Sequence, residues 1–135
     1  MRIRVVSSSS EISEISPNDE QVHLAFRASN ADILRLIQRC PRLRMIQVPQ
    51  SYRKTMSDII QPLLDIQDIE LLAGGVGGHR KDLDEYFTVD GATLEEIQSM
   101  ASSGASIDGI SSQIQEKARL GLDLIKYIAK TEIPA

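Results

Sequence analysis

Alternating apolar and polar positions divide the first two-thirds of the chain into predicted strands and helices. Four stretches rich in apolar and β-branched residues have the length and pattern of strands. The segments between the later strands repeat their apolar residues at three- and four-residue spacing, which is typical of helices packed on one side. The predicted strands are Met1–Val6, Gln21–Phe26, Leu43–Val48 and Ile69–Ala73. This order predicts βαβ units, and therefore an α/β fold with a small parallel sheet of about four strands and helices packed on it.

Two helices between these strands have recognisable limits. Ser29 and Asp32 have the spacing of a capping box, and Pro41 ends the helix that they begin. A second apolar stripe predicts a helix over Tyr52–Ile66, which Pro62 should kink or split because proline lacks the N–H of a helical hydrogen bond. Shorter helical turns are expected at Glu11–Ser16 and Lys81–Phe87.

The last third of the chain predicts helices only. A second capping-box pattern lies at Thr93–Glu96, and Gly104 is suited to the position just after a helix. Apolar residues at helical spacing continue beyond it, with Gly121 as the weakest position. We therefore expect an α/β domain over residues 1–88 and a C-terminal helical segment over residues 89–135. That segment is either helix-turn-helix-like or a helical hairpin packed on the α/β domain.

Composition limits the classes of function. The 135-residue chain has 41% hydrophobic and 25% charged residues, as an ordinary globular protein does. No run reaches the roughly 18 apolar residues of a membrane-spanning helix. One cysteine, Cys40, excludes an intramolecular disulfide, and the two histidines lack the close spacing of zinc ligands. We expect a cytoplasmic protein without a metal site, a cofactor or a membrane partner.

Charge is distributed unevenly along the chain. Up to Lys54 there are nine Lys or Arg against five Asp or Glu, whereas from Thr55 onward there are six against fourteen. One interpretation is solvated surfaces of uneven charge. The functional alternative is an anion-binding edge on the first half, or self-association of one half against the other.

The carboxyl ends of the predicted parallel strands provide the main candidate site. In open α/β sheets these ends meet at one edge, where ligands bind, and helix N-termini beside them attract anions. The candidate anion-binding residues in the four loops at this edge are Ser8, Arg27, Ser29, Ser51, Tyr52, Arg53, Lys54, Gly75, Gly77, His79 and Arg80. They favour a non-enzymatic binding or regulatory protein with a small anionic ligand, although Ser, Gly and Arg are also ordinary loop residues.

The C-terminal segment offers a different function. Gly104–Ile114 resembles the first part of helix-turn-helix modules of the resolvase type, with an Ile four residues after Gly-x-Ser and an apolar residue four further on. The helix that would then read DNA contains Lys126, Tyr127 and Lys130. The link Gln115–Gly121 is longer than the usual turn, and a continuous helix through it would exclude this interpretation. A nucleic-acid partner is therefore less favoured than helices that cover the sheet or form a dimer.

Catalysis has the weakest basis in the sequence. His79 is the histidine expected at the candidate edge, and no acid or nucleophile is identifiable as its partner. Cys40 and His23 are expected to be structural residues. We therefore predict no catalytic residues, and an enzyme that uses His79 remains only as a further alternative.

The central part of the chain resembles a known scaffold. Residues 21–78 are similar to the flavodoxin-like substrate domain of D-2-hydroxyacid dehydrogenases, in which a helix ending in a Cys/Ala-Pro pair leads to a Leu-x-x-Ile strand. Here the corresponding run is Cys40–Ile46. The resemblance implies a flavodoxin-like or Rossmann-like fold. It implies no dehydrogenase activity, because the chain has no room for the dinucleotide fingerprint and the catalytic residues of those enzymes.

The chain as a whole resembles a family of small proteins of unknown function from methanogenic archaea. The segments that carry this resemblance are Met1–Ser10, Val22–Pro49, Ser51–Thr55, Gly78–Asp82 and Asp84–Asp90. It implies an intracellular protein, and no particular activity, substrate or site.

Overall fold

One sheet with helices on both faces forms the computed structural model of the protein, which describes residues 1–77, 79–115 and 118–131. The strands are β1 (Arg2–Val6), β2 (Gln21–Leu24), β3 (Met45–Val48), β4 (Glu70–Ala73) and β5 (Tyr86–Thr88). The helices are α1 (Asn30–Arg39), α2 (Gln50–Arg53), α3 (Ile60–Ile66), α4 (Gly91–Ser102), α5 (Ile107–Gln115) and α6 (Leu122–Lys130), and a 3-10 helix spans Ser9–Glu14. Within the described ranges, no helix is both long enough and apolar enough to cross a membrane.

The sheet has the strand order β4-β3-β2-β1-β5. Strands β1 to β4 are parallel, whereas β5 pairs antiparallel with β1. The α/β class and the parallel pairing of the first two strands are therefore confirmed, but the sheet has five strands rather than about four. The strand order does not reverse among the described parallel strands, unlike that of doubly wound flavodoxin or Rossmann sheets, so these strands have no switch point between them that would mark a ligand crevice.

One face of the sheet is covered by the connections between the parallel strands. Right-handed crossovers that always step in the same direction place their helices on the same side. The 3-10 helix, α1 and α3 accordingly share one core with the strand side chains on this face. The buried residues of this core are Val6, Ile12, Ile15, Val22, Leu24, Ile33, Leu36, Cys40, Leu43, Ile46, Val48, Ile60, Leu64 and Ile69.

The opposite face is covered by α4, α5 and α6. Their apolar residues form a second core with Ile3, Met45 and Leu72, three strand residues that point away from the first core. The remaining buried residues of this second core are Val89, Leu94, Ile97, Ile110, Ile114, Leu120, Leu124, Ile125, Tyr127 and Ile128. The C-terminal helices thus cover the sheet, as one of the two sequence interpretations expects.

The α1 capping box is confirmed in both directions. Asp32 N donates to Ser29 Oγ (3.1 Å), and Ser29 N donates to Asp32 Oδ2 (2.9 Å). The helix expected over Tyr52–Ile66 is split, as one of the two expected effects of Pro62, but the break lies before Pro62, between α2 and α3. Pro62 does not cause this break: it lies in the first turn of α3, where its missing N–H has no helical acceptor to bond.

Two further expectations are wrong near the start of the helical region. The segment Lys81–Phe87 was expected to begin as a helical turn, but its end pairs with β1 as strand β5, and Leu83 is 75% exposed. Helix α4 starts three residues earlier than its capping-box pattern indicates. Its N-cap is Asp90, whose Oδ1 accepts a hydrogen bond from Thr93 N at 2.7 Å.

Candidate functional site

The loops that follow β1 to β4 lie at the same edge of the sheet, but the predicted anion-binding residues do not converge there. Arg27, Ser29 and Tyr52 line one cavity. Gly75 and Gly77 instead line a shallow groove against the turn between α5 and α6. The other predicted residues bond elsewhere or are exposed on α2 and the loops. The single site expected from the sequence is therefore divided into separate places.

The cavity has a volume of about 430 Å³ and lies between the β2–α1 loop and the α2–α3 segment. The Arg27 guanidinium lies over the ring of Tyr52, with its Cζ 4.7 Å from the ring centroid, and its Nη1 donates to Thr55 Oγ1. Phe26 and Met56 belong to the lining and were missed in the sequence. The apolar pattern placed Phe26 in the second strand and Met56 in the following helix as packing residues, whereas the structure ends β2 at Leu24 and α2 at Arg53 and leaves both side chains at the cavity.

The N-terminus of α1, which borders the cavity, already holds a carboxylate of the chain. Asp32 Oδ1 accepts from Ser9 Oγ at 2.5 Å, and its other oxygen accepts from Ser29 N. Arg35 lies 3.5 Å from the same carboxylate. Although burial opposes ionisation, these hydrogen bonds lower the pKa of Asp32 below its ordinary value. Asp32 therefore provides the negative charge that the helix dipole favours.

The serine run after β1 is satisfied in a similar way. Ser7 N and Ser8 Oγ both donate to Glu11 Oε2, at 2.7 and 3.3 Å. Lys81 Nζ lies 2.8 Å from Glu11 Oε1. Burial opposes ionisation of this carboxyl too, but the bonds from Lys81 and Ser7 lower the pKa of Glu11. Ser8 thus faces a carboxylate of its own chain.

Four of the remaining predicted residues lie on or just after α2 or in the loop before β5. Arg53 donates to Gln61 Oε1 at 3.3 Å, while Ser51 and Lys54 are exposed. Arg80 forms an ion pair with Asp82 at 2.7 Å. Because both of these side chains are well exposed, that pair contributes little to stability.

His79 contacts a backbone carbonyl and an aromatic ring. Its Nε2 donates to the Asp84 carbonyl at 2.8 Å, and its ring meets Phe87 edge to face at 5.9 Å between centroids. An enzyme that uses His79 would need an acid or a nucleophile at this ring, and this nitrogen faces a carbonyl instead. Cys40 is buried, as expected, and burial, followed by the charge of Asp19, raises the pKa of its thiol to about 11.

The C-terminal helices have a helix–turn–helix order. Helix α5 ends at Gln115, α6 begins at Leu122, and residues 118–120 are not helical. The condition that would have excluded a helix-turn-helix is therefore not met, although Glu116 and Lys117 lie outside the described residues. The length of the link stays a prediction, since it depends on those two residues, and the exposed Arg119 is a candidate contact residue that the sequence analysis overlooked.

The three residues proposed for nucleic-acid contact have different environments on α6. Lys126 is exposed. Tyr127 is only 2% exposed and packs in the second core, so it cannot touch nucleic acid in this arrangement. Lys130 Nζ lies 2.7 Å from Glu70 Oε1 on β4. The accessible strip of α6 therefore consists mainly of Leu122, Lys126 and Lys130.

A polar pair is buried between the sheet and these helices. His23 Nδ1 and Gln47 Oε1 are 2.8 Å apart, and both residues are at most 2% exposed. In the described part of the chain, Gln47 Nε2 and the Tyr127 hydroxyl are buried without a hydrogen-bond partner. Burial lowers the pKa of His23 below its ordinary value, against the opposing effect of the Gln47 bond, and the charge of His79 lowers it further.

This lowered pKa predicts a stability loss in acid. Below the ordinary value of about 6.5 the unfolded chain binds a proton at His23 that the folded chain does not, so the free energy of unfolding decreases as pH falls. The slope due to this one group reaches at most about 1.4 kcal/mol per pH unit. Urea titrations between pH 7 and pH 5 should show a shallower decrease for His23→Gln. A decrease that is equal in both chains would contradict the assignment to His23.

The protein therefore combines an α/β sheet with a C-terminal unit of three helices, and the last two of these helices have helix–turn–helix order. Residues 2–85 match the model of the N-terminal domain of a family of unknown function, DUF1699, and residues 92–130 match the model of a DUF1699 C-terminal HTH domain. The chain belongs to the DUF1699 family. No curated protein and no solved structure gave a match to the chain.

Proposed function

We propose that the protein is a nucleic-acid-binding regulator that contacts its target through α5, the following turn and α6. The observation that carries the proposal is the match of residues 92–130 to an HTH domain, in a segment where two helices are separated by a non-helical turn. In helix-turn-helix proteins the second helix of this pair lies in the major groove, and its N-terminal residues contact the bases.

The exposed surface around the turn has suitable chemistry for this role. Arg119, Leu122 and Lys126 are all exposed and lie at or near the start of α6. Gln113 and Gln115 add exposed amides from α5. Arginine and lysine bind phosphates and guanine, and glutamine can pair with adenine, so this surface could both position the protein and read bases.

The one acidic residue of α6, Asp123, is directed toward the sheet rather than toward this surface. Asp123 Oδ2 accepts a hydrogen bond from Ala73 N on β4 at 2.9 Å, so the carboxylate faces the sheet. Lys130 is paired with Glu70, which leaves Arg119 and Lys126 as the cations of the described surface. With about two phosphate contacts per chain, log K should fall with log[salt] with a slope of about −2.

Lys126→Glu is expected to weaken binding to DNA fragments selected from the genome by about tenfold, because a phosphate-binding cation becomes a repelling anion. Fluorescence anisotropy at low salt measures the affinity. Arg42→Glu is the matched control, since Arg42 is also exposed but lies in the loop between α1 and β3, outside the proposed surface. The proposal would be rejected if both variants lost affinity equally, or if the parent chain bound no genomic DNA fragment at about 50 mM salt.

A second candidate function is the binding of a small anion by the α/β part of the chain. The observation that favours it is the cavity of about 430 Å³ lined by Arg27, Ser29 and Tyr52. The two functions are compatible in one regulator, with an effector site on the sheet and a nucleic-acid surface on the helices. Self-association through the C-terminal helices stays a prediction.

A further inference from the structure

We propose that the cavity beside Arg27 binds a small monocarboxylate with an apolar body, rather than a phosphate or a nucleotide. This inference rests on the second candidate function above and names its class of ligand. The volume of the cavity, about 430 Å³, lies within the range of small-molecule sites, which is about 300–1,000 Å³. Three features of the cavity, its cation, its net charge and its apolar wall, lead to this class of ligand.

The cation is held in place but is not neutralised. Stacking on Tyr52 and the hydrogen bond to Thr55 fix the plane of the Arg27 guanidinium and use one of its five N–H donors. No carboxylate in the described part of the chain forms an ion pair with Arg27, and none of the residues lining the cavity is acidic. The free donors of a planar guanidinium suit the two oxygens of a carboxylate.

The net charge of the cavity lining suits a ligand that carries a single negative charge. Arg27 is the single basic residue of the lining. The N-terminus of α1 would otherwise favour a second charge, but the Asp32 carboxylate already accepts the N–H of Ser29 there. A phosphate dianion would therefore bring an uncompensated charge close to Asp32. A carboxylate paired with Arg27 leaves the cavity neutral.

The rest of the lining is mainly apolar. Val48 is 2% exposed at the end of β3, and Phe26 and Met56 are partly buried against the same core. A ligand body of aliphatic or aromatic carbon would cover these side chains and contribute about 25 cal/mol for each Å² removed from water. Ser29 and Ser57 also line the cavity, and each hydroxyl, whose oxygen accepts a backbone N–H, keeps an O–H that can be donated to the ligand.

The test is isothermal titration of the full chain with a charged probe, 3-phenylpropanoate, and with its neutral counterpart, 3-phenylpropanamide. Inorganic phosphate and AMP are the competing anions. We expect 3-phenylpropanoate to bind and the amide to bind about tenfold or more weakly, because the amide loses a charge-assisted hydrogen bond. Backbone amide shifts in the β2–α1 loop and around Thr55 should change on addition of the acid.

Two variants connect the affinity to Arg27. Arg27→Gln should reduce the affinity for 3-phenylpropanoate to that for the amide and leave amide binding unchanged. Arg42→Gln, an exposed arginine outside the cavity, should have no effect, and circular dichroism of both variants checks folding. Tighter binding of phosphate or AMP than of 3-phenylpropanoate would overturn the ligand class while leaving the anion site. No binding by any of the four probes would overturn the site itself, and neither result bears on DNA binding.

Discussion

Removal of residues 89–135 is expected to abolish cooperative unfolding of the remaining α/β chain. The second core consists mostly of residues from the C-terminal helices, and Ile3, Met45 and Leu72 contribute its sheet side. Exposing these three side chains to water would cost about 5–9 kcal/mol together. This is comparable to the whole stability of a typical domain, which is about 5–15 kcal/mol.

Scanning calorimetry and far-UV circular dichroism measure this effect. The full chain should show one transition, with equal calorimetric and van't Hoff enthalpies. The shortened chain should bind a hydrophobic dye and lose its sharp transition. If the shortened chain unfolds cooperatively with the same midpoint, residues 1–88 are an independent domain and the expectation of a shared core is wrong.

Gly77→Val is expected to destabilise the protein by about 2–4 kcal/mol, because it adds a strained backbone to a steric clash. Gly77 has φ of +44°, which β-branched residues rarely adopt. A Cβ at this position would lie 2.6 Å from the carbonyl oxygen of Arg119 and 2.8 Å from its Cβ. Either the α5–α6 turn or the loop that contains Gly75 and Gly77 must therefore move.

Gly75→Val is the matched control in the same loop. A Cβ at Gly75 would meet no atom within 4 Å, and Gly75 does not have a positive φ. Its free energy of unfolding in urea should stay within about 1 kcal/mol of the parent chain. Since Arg119 belongs to the proposed nucleic-acid surface, only the Gly77 variant should also weaken DNA binding. Similar losses for both glycine variants would contradict the close approach of this loop to the turn.

The features that the sequence predicts well are those set by neighbouring residues. The capping box of Ser29 and Asp32 and the end of α1 before Pro41 depend on residues three to four positions apart or adjacent. The length of the connection between β1 and β2 favoured their parallel pairing but left an antiparallel pairing open. For the capping box and the end of α1 the physical cause lies within the segment, so the pattern is sufficient.

The wrong predictions concern segments whose structure is decided by distant contacts. Strand β5 is only three residues long, and its β structure depends on pairing with β1 more than 80 positions earlier. Asp90 caps α4 although Thr93 has the better motif. The residue before it, Val89, donates its N–H to the carbonyl of Met1, the first residue of the chain. Local propensity cannot supply such information.

For the candidate site too, the sequence predicted the general location but not the contacts between distant residues. The edge of the sheet was predictable from the parallel order of the strands, and Arg27, Ser29 and Tyr52 do line one cavity there. What the sequence did not reveal is that Glu11 would accept hydrogen bonds from Ser7 and Ser8, and that Asp32 would accept one from Ser9. One of these carboxylates lies 23 positions from the serine that it bonds.

The position of α6 along β4 also limits how two copies of the chain could associate. Strand β4 is at one end of the sheet, and its pairing to β3 leaves Ala73 N on the outer side. The bond from Ala73 N to Asp123 and the Lys130–Glu70 pair hold α6 against both ends of this strand. The backbone N–H of Ala73 is therefore not available to a partner strand, and β5 at the other end offers only three residues for pairing. We expect a dimer to join through helices or loops rather than by lengthening the sheet.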